Sequence, residues 1–164
     1  MIILGIDPGL KHLGWGVIEA QTPQRMRHIA HGVITTDAAF SMPERLFSIY
    51  QDLVKLFDKY TPEALANEAL IFSKNVSSAL PVAHVRGVIL LLAIQQNVSI
   101  KSFAPNTIKQ AVTGNGMAKK GEVQQMVKLL LKLEEIPKPD HAADALAIAI
   151  SYAYGVPAVS DRLT

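Results

Sequence analysis

The period of the apolar residues changes along this chain, and that change limits the fold more than any other feature. Ile2 to Ile6 is a β-branched apolar run, which reads as a buried strand. Asp7-Pro8-Gly9 closes it with turn residues. His12 to Ala20 alternates and reads as a second strand; Gln21 to Gln24, with Pro23, is a turn; Met26 to Thr36 is a third strand. Short connections predict an antiparallel meander. From Pro43 to Tyr60 the spacing shifts to three and four, with Leu46, Ile49, Tyr50, Leu53, Leu56 and Phe57 on one helical face. Ser41 or Met42 starts this helix, and Pro43 suits its first turn. Ala64 to Asn67 reads as a fourth strand and Val98 to Phe103 as a fifth. Between them, Asn75 to Gln96 is helical, with Pro81 predicting a start near Ala79 or a kink. Further helices are expected from Pro105 to Thr113, Gly121 to Leu133 and Asp140 to Tyr154. Strands alternating with helices after a meander predict an α/β class with a mixed sheet. The expected organisation is one domain over 1–155 and a loose tail over 156–164.

With 49% hydrophobic residues in 164, the chain can build a core and is too apolar for disorder. It has no cysteine, which removes disulfides, thiolate metal sites and cysteine nucleophiles. Its longest uncharged apolar stretch, Gly87 to Gln96, is too short to span a bilayer. The MIILGID start lacks a basic region and a cleavage site, so no signal peptide is expected. A cytoplasmic, membrane-free protein is the expectation. Charge is unevenly placed: residues 1–100 sum to zero, 101–138 to +4 and 139–164 to −2. A basic block beside an acidic cluster fits an enzyme that holds a polyanion and cuts it with a metal. Lysines solvated on helix surfaces would give the same count.

Four acidic or imidazole groups stand in apolar surroundings: Asp7, Glu68, His141 and Asp144. Buried carboxylates are costly unless paired or bound to metal. Asp7 and Glu68 close two strands, and on adjacent strands they would point to one sheet edge. His141 and Asp144, at i and i+3, share a helix face. Such a set could hold two divalent ions for phosphoryl transfer. Each residue also has an ordinary reading. Asp7 could initiate the Pro-Gly turn, Glu68 could pair with Lys74, and Asp140 could cap the last helix. Single histidines such as His28, His31 and His84 read as structural or surface groups. Asp144 is the hardest to explain this way, because it interrupts Ala-Ala-Asp-Ala-Leu-Ala-Ile-Ala-Ile.

Ile3-Leu4-Gly5-Ile6-Asp7-Pro8-Gly9 followed by Gly14-Trp15-Gly16-Val17-Ile18 resembles the opening of the RuvC-type Holliday junction resolvases. The resemblance continues through Glu68, Lys74-Asn75, Ser78-Ala79-Leu80 and Arg86-Gly87-Val88. It goes on through Lys109 to Gly114, Gly116, Lys120, Val123-Gln124 and Met126-Val127, and ends at Ala142 to Ala149. The resemblance implies an RNase H-like (retroviral-integrase-like) fold, with a five-stranded mixed sheet flanked by helices. It implies a Mg²⁺-dependent homodimer, two ions per site, that resolves four-way junction DNA in recombination and repair by paired symmetric nicks. The products would carry 5′-phosphate and 3′-hydroxyl ends. Its acidic ligands fall on Asp7, Glu68 and Asp144, and a fourth falls on His141, where many members carry Asp. Imidazole suits Mn²⁺ better than Mg²⁺. Mn²⁺ is therefore expected to support activity at least as well, and activity to fall as His141 protonates.

The resemblance also places Lys109 and Lys120 by the DNA. Lys119 and Arg86 are candidate phosphate contacts beside them. Many members carry an aromatic residue three after the catalytic Glu that stacks on unpaired bases; that position is Ile71 here, and Phe72 follows. Phe72 could equally be core. The helix after Asn75 is the expected dimer interface, and a branch-migration motor complex is the expected partner. Three other readings stay open: a nuclease for RNA–DNA hybrids, a junction-binding protein without catalysis, and an actin-like kinase relative. The last needs two such domains, more than 164 residues can hold.

Overall fold

The computed structural model describes residues 1–70 and 76–159, with side chains from 79 onward in the second stretch. Three strands come first: β1 (Ile2–Asp7), β2 (His12–Thr22) and β3 (Arg25–Thr35). Then follow α1 (Met42–Tyr60), β4 (Ala64–Glu68), α2 (Val76–Gln95), β5 (Ser99–Phe103), α3 (Pro105–Thr113), α4 (Lys120–Leu130) and α5 (Asp140–Ala153). The sheet order is β3-β2-β1-β4-β5. The first three strands form the antiparallel meander, and β4 and β5 join parallel to β1. The mixed five-stranded sheet is therefore as expected.

Alternation along the strands sorts side chains to two cores. Ile3, Ile18, Ala64 and Ala66 face α3, α4 and α5, around Phe103 and Leu146. Leu4, Ile6, Val17 and Leu65 face α1 and α2, around Ile49, Leu53, Phe57 and Ile89. Each fully buried aliphatic side chain contributes about 1.5–3 kcal/mol. Helix α1 begins where its sequence says: the Ser41 backbone N–H and hydroxyl donate to the Glu44 carboxylate at 2.8 and 2.6 Å.

Three local details differ from the sequence reading. Helix α2 fills nearly all of the expected 75–96 stretch and includes Pro81, so it does not start near Ala79 but at Val76. Helix α4 stops at Leu130, and Lys132 takes a positive φ of 53°. The N-cap of α5 is Pro139, not Asp140, which is already the first helical residue. The chain past α5 is described to Val159, whose N–H donates to the Ser102 carbonyl at 2.8 Å. Among the described residues, no helix is long and apolar enough to cross a membrane.

Candidate active site

The site grows from two parallel strands that end together. Strands β1 and β4 are in register up to Ile6 opposite Asn67, so Asp7 and Glu68 leave the sheet side by side. Helix α5 then crosses the same edge at unusually close range. A Cβ on Gly5 would run into the Ala145 carbonyl, and one on Gly14 into the His141 carbonyl. Gly14 is also the cross-strand partner of Asp7. Missing side chains on the sheet and alanines on the helix thus let the first turn of α5 lie against the end of β1. This packing, rather than any local propensity, brings His141 and Asp144 to Asp7.

His141 Nδ1 lies 2.7 Å from Asp7 Oδ2. Ligand atoms of Asp7, His141 and Asp144 all fall within 4.8 Å of one another. Glu68 is not part of that group but lines the same cleft, of about 280 Å³, together with Asp7 and Asp144. Burial, then the neighbouring Asp7 and Asp144 carboxylates, push the Glu68 carboxyl up to about 7. Burial likewise raises Asp7; the His141 hydrogen bond opposes this and the Asp144 charge adds to it. Like charges crowded at the mouth of a core are unfavourable alone and favourable around a cation. Carboxylates with one imidazole suit a divalent metal. The acidic group is thus fit to bind a metal ion.

Two lysines stand beside the carboxylates. Lys109 of α3 and Lys120 of α4 both line the cleft, over an apolar floor of Ile108, Val123 and Ile148. Lys120 Nζ reaches Asp144 Oδ2 at 3.1 Å and Asp140 Oδ2 at 3.3 Å. Burial works against the Lys120 charge, but these carboxylates outweigh it and hold its ammonium above the ordinary lysine value. Asp140 therefore serves as a partner of Lys120 at the rim. Lys119 is exposed beside it.

Arg86 turns into the protein. Its Nε donates to Asn67 Oδ1 at 3.1 Å and its Nη2 to Ser102 Oγ at 2.9 Å. Asn67 and Ser102 are fully buried, side by side on β4 and β5. The guanidinium thus braces the strand that carries Glu68, one residue beyond Asn67. Ile71, Phe72 and Lys74 lie outside the described residues. Two neighbours escaped the sequence reading. Asn67 had a signal, a polar residue inside an apolar strand; His12 had none. The His12 ring packs against His141 with centroids 5.9 Å apart, a pairing of residues remote in sequence.

The comparisons agree with this geometry. The family model for crossover junction endodeoxyribonuclease RuvC matches residues 3–152. The RuvC protein of Thermosipho melanesiensis is 49% identical over 149 residues, 91% of this chain and 94% of the relative. The structure of Thermus thermophilus RuvC in complex with a Holliday junction substrate superposes with a TM-score of 0.89 at 35% identity, over 94% of each chain. The yeast mitochondrial Holliday junction resolvase shares the fold, with a TM-score of 0.63 at 18% identity over 93% of this chain and 78% of that one. This is the RNase H-like architecture, and with a family match over nearly its whole length the chain belongs to the RuvC family of crossover junction endodeoxyribonucleases.

Proposed function

We propose that this chain resolves four-way (Holliday) DNA junctions by paired symmetric nicks in recombination and repair, leaving 5′-phosphate and 3′-hydroxyl ends. The observation that carries the reading is the Asp7–His141–Asp144 group, with Glu68 beside it and with Lys109 and Lys120 lining the same cleft. Acidic side chains and ammonium groups gathered in one cleft suit a phosphodiester brought to a metal. Asp7, Glu68, His141 and Asp144 would hold Mg²⁺, two ions per site, with Mn²⁺ an effective substitute. The bound ions would supply Lewis acidity at the scissile phosphate and a nucleophilic water at neutral pH. Lys109, Lys120 and Lys119 would bind phosphates of the junction arms, and Ile71 or Phe72 would supply the contact with unpaired bases. Arg86 would contact the DNA through guanidinium N–H groups beyond those it gives to Asn67 and Ser102. A cytoplasmic location goes with a DNA substrate.

A pair of copies is part of this proposal, because two opposed strands need two sites. Helix α2 supports it: its one face packs Val85, Ile89 and Leu92 into the core, while Leu91 and Ile94 are 58% and 66% exposed on another. A helix apolar all round calls for a second covering surface. Light scattering that returns the mass of one chain at working concentration would remove the dimer.

The decisive assay is nicking of a mobile four-way junction in Mg²⁺ and in Mn²⁺, with linear duplex, an RNA–DNA hybrid and Asp7→Asn as controls. Paired nicks that vanish in Asp7→Asn are expected. Binding without nicks in either metal would leave a junction-binding protein without catalysis, and cleavage of the hybrid alone would leave a hybrid nuclease.

A further inference from the structure

Glu68 is held from behind by three side chains that lie outside the cleft. Asn67 precedes it on β4, and successive residues of a strand point to opposite faces. Leu65 packs on the α1–α2 side, so Asn67 faces that side too, while Glu68 faces the cleft with α3, α4 and α5. Asn67 and Ser102 are cross-strand partners on β4 and β5, and both are fully buried. Arg86 Nε donates to Asn67 Oδ1 at 3.1 Å, Ser102 Oγ donates to the same oxygen at 3.3 Å, and Arg86 Nη2 donates to Ser102 Oγ at 2.9 Å. These bonds close a triangle that joins β4, β5 and α2 at the residue before Glu68. On the other side of Glu68, the Ala69 N–H donates to the Phe103 carbonyl at 2.8 Å. The backbone that carries the carboxylate is thus fixed from both directions.

Stability alone would not select asparagine here. Ala64, Leu65 and Ala66 before it are all buried and apolar, and an aliphatic side chain would continue the pattern. Asn67 instead buries an amide whose Nδ2 has no hydrogen-bond partner among the described residues. A buried N–H without an acceptor is destabilising. A residue that breaks the local pattern beside a site answers to the site rather than to the core. The other half of the amide shows what is gained. Oδ1 is the atom at which the end of β4 is tied to both a helix and the next strand. The tie has a load to bear, because Asp7 and Asp144 line the same cleft as Glu68 and like charges push one another apart.

We propose that Asn67 is a positioning residue for Glu68: its Oδ1, held by Arg86 and Ser102, sets where the Glu68 carboxylate stands in the cleft relative to Asp7 and Asp144. The effect on nicking rests on the reading of Glu68 as a metal-holding carboxylate. Asn67 itself lies on the far face of the sheet from the cleft, so it acts through the backbone of its neighbour and not by contact with metal or DNA. Small shifts matter at such a place. A misplacement of about 1 Å at a reacting group costs up to about a hundredfold in rate.

The test is placed on Asn67 in the full chain, because Arg86 has a separate part on the DNA in the proposed function. Asn67→Leu removes the acceptor and keeps the bulk; Asn67→Asp keeps the acceptor in the same shape. Single-turnover nicking at saturating junction in Mg²⁺ should fall about tenfold or more in Asn67→Leu. The junction Kd in Ca²⁺ should stay within about twofold, since no DNA contact is removed. Asn67→Asp should recover most of the rate. Crystal structures of the metal-free unsubstituted chain and of both variants give a readout independent of activity: the Glu68 carboxylate should be displaced in Asn67→Leu and in place in Asn67→Asp. An Asn67→Leu variant that nicks at the unsubstituted rate, an Asn67→Asp variant as slow as the leucine one, a Kd weakened as much as the rate, or an unmoved Glu68 carboxylate would each overturn the proposal. An unsubstituted chain that nicks no junction would overturn the proposed function instead, and the crystal structures would then decide by themselves whether Asn67 places Glu68.

Discussion

His141 Nδ1 stands 2.7 Å from Asp7 Oδ2, a contact that joins the end of the first strand to the start of the last helix across 134 positions of sequence. One residue of the pair is a carboxylate and the other an imidazole, and in the proposed metal site this mixed donor set should govern the metal preference. His141→Asp should restore an all-oxygen donor set. The ratio of Mg²⁺-supported to Mn²⁺-supported nicking should then rise, by roughly tenfold if one ligand sets it. Initial rates in each metal at saturation measure this; an unchanged ratio would show that His141 is no ligand.

The same contact depends on a residue with no side chain. A Cβ on Gly14 meets the His141 backbone. Gly14→Ala must push the first turn of α5 off the sheet or distort β2, at a cost of about 1–3 kcal/mol for overpacking. The loss should appear twice, as a lower Tm and as weaker Mn²⁺ binding by calorimetry. Gly87→Ala is the control, since its added Cβ meets nothing within 4 Å. Loss of stability with unaltered metal binding would show that α5 does not position the ligands.

Glu68 gives the pH dependence. Its carboxyl is raised from an ordinary 4.5 to about 7 in the metal-free fold, chiefly by burial. A group raised on folding stabilises fully below its unfolded value, and that contribution is lost as pH rises through about 7. Metal-free protein should therefore lose stability between pH 5 and pH 8 through this residue. Glu68→Gln, which stays neutral, should raise the metal-free Tm at pH 8 by the equivalent of about 1–3 kcal/mol and change it little at pH 5. Saturating Mg²⁺ should reverse the order at pH 8, because the bound cation favours the carboxylate. Equal melting at both pH values would mean that Glu68 is not strained by its site.

Much of the fold was legible because each element announces its own period. The switch from the alternation of β2 to the three-four spacing of α1 separates meander from crossover without ambiguity. Asp144 was legible for a related reason: a charge inside an alanine and isoleucine helix has few ordinary explanations. What stayed hidden depends on contacts between remote segments. The approach of α5 to Gly5 and Gly14 is invisible in a sequence where glycine also marks turns. Arg86 of α2 reads as a phosphate ligand, yet Asn67 and Ser102 on two strands hold it. The bulge at Ile29 on β3 turns His28 and His31, which looked separate, into a pair, because register is a property of two strands together. Asp140 looked like a cap, but the nearby Lys120 gives its carboxylate another partner.

Lys120 belongs to both the acidic group and the cleft beside it. Its ammonium sits 3.1 Å from Asp144 Oδ2, so it competes with a cation for the same oxygen. It also lines the cleft where a phosphate would have to lie. Removing it should therefore push two affinities in opposite directions. In the DNA-free protein, Lys120→Ala should tighten Mn²⁺ binding by roughly two- to fivefold, the worth of a partly exposed ion pair. Junction binding in Ca²⁺, where no nicking complicates the titration, should weaken, and the slope of log K against log salt should fall by about one phosphate contact. A lysine that served only solubility would leave both titrations unchanged. Weaker metal binding in the variant would mean that Lys120 orients Asp144 for the ion, and the competition described here would be wrong.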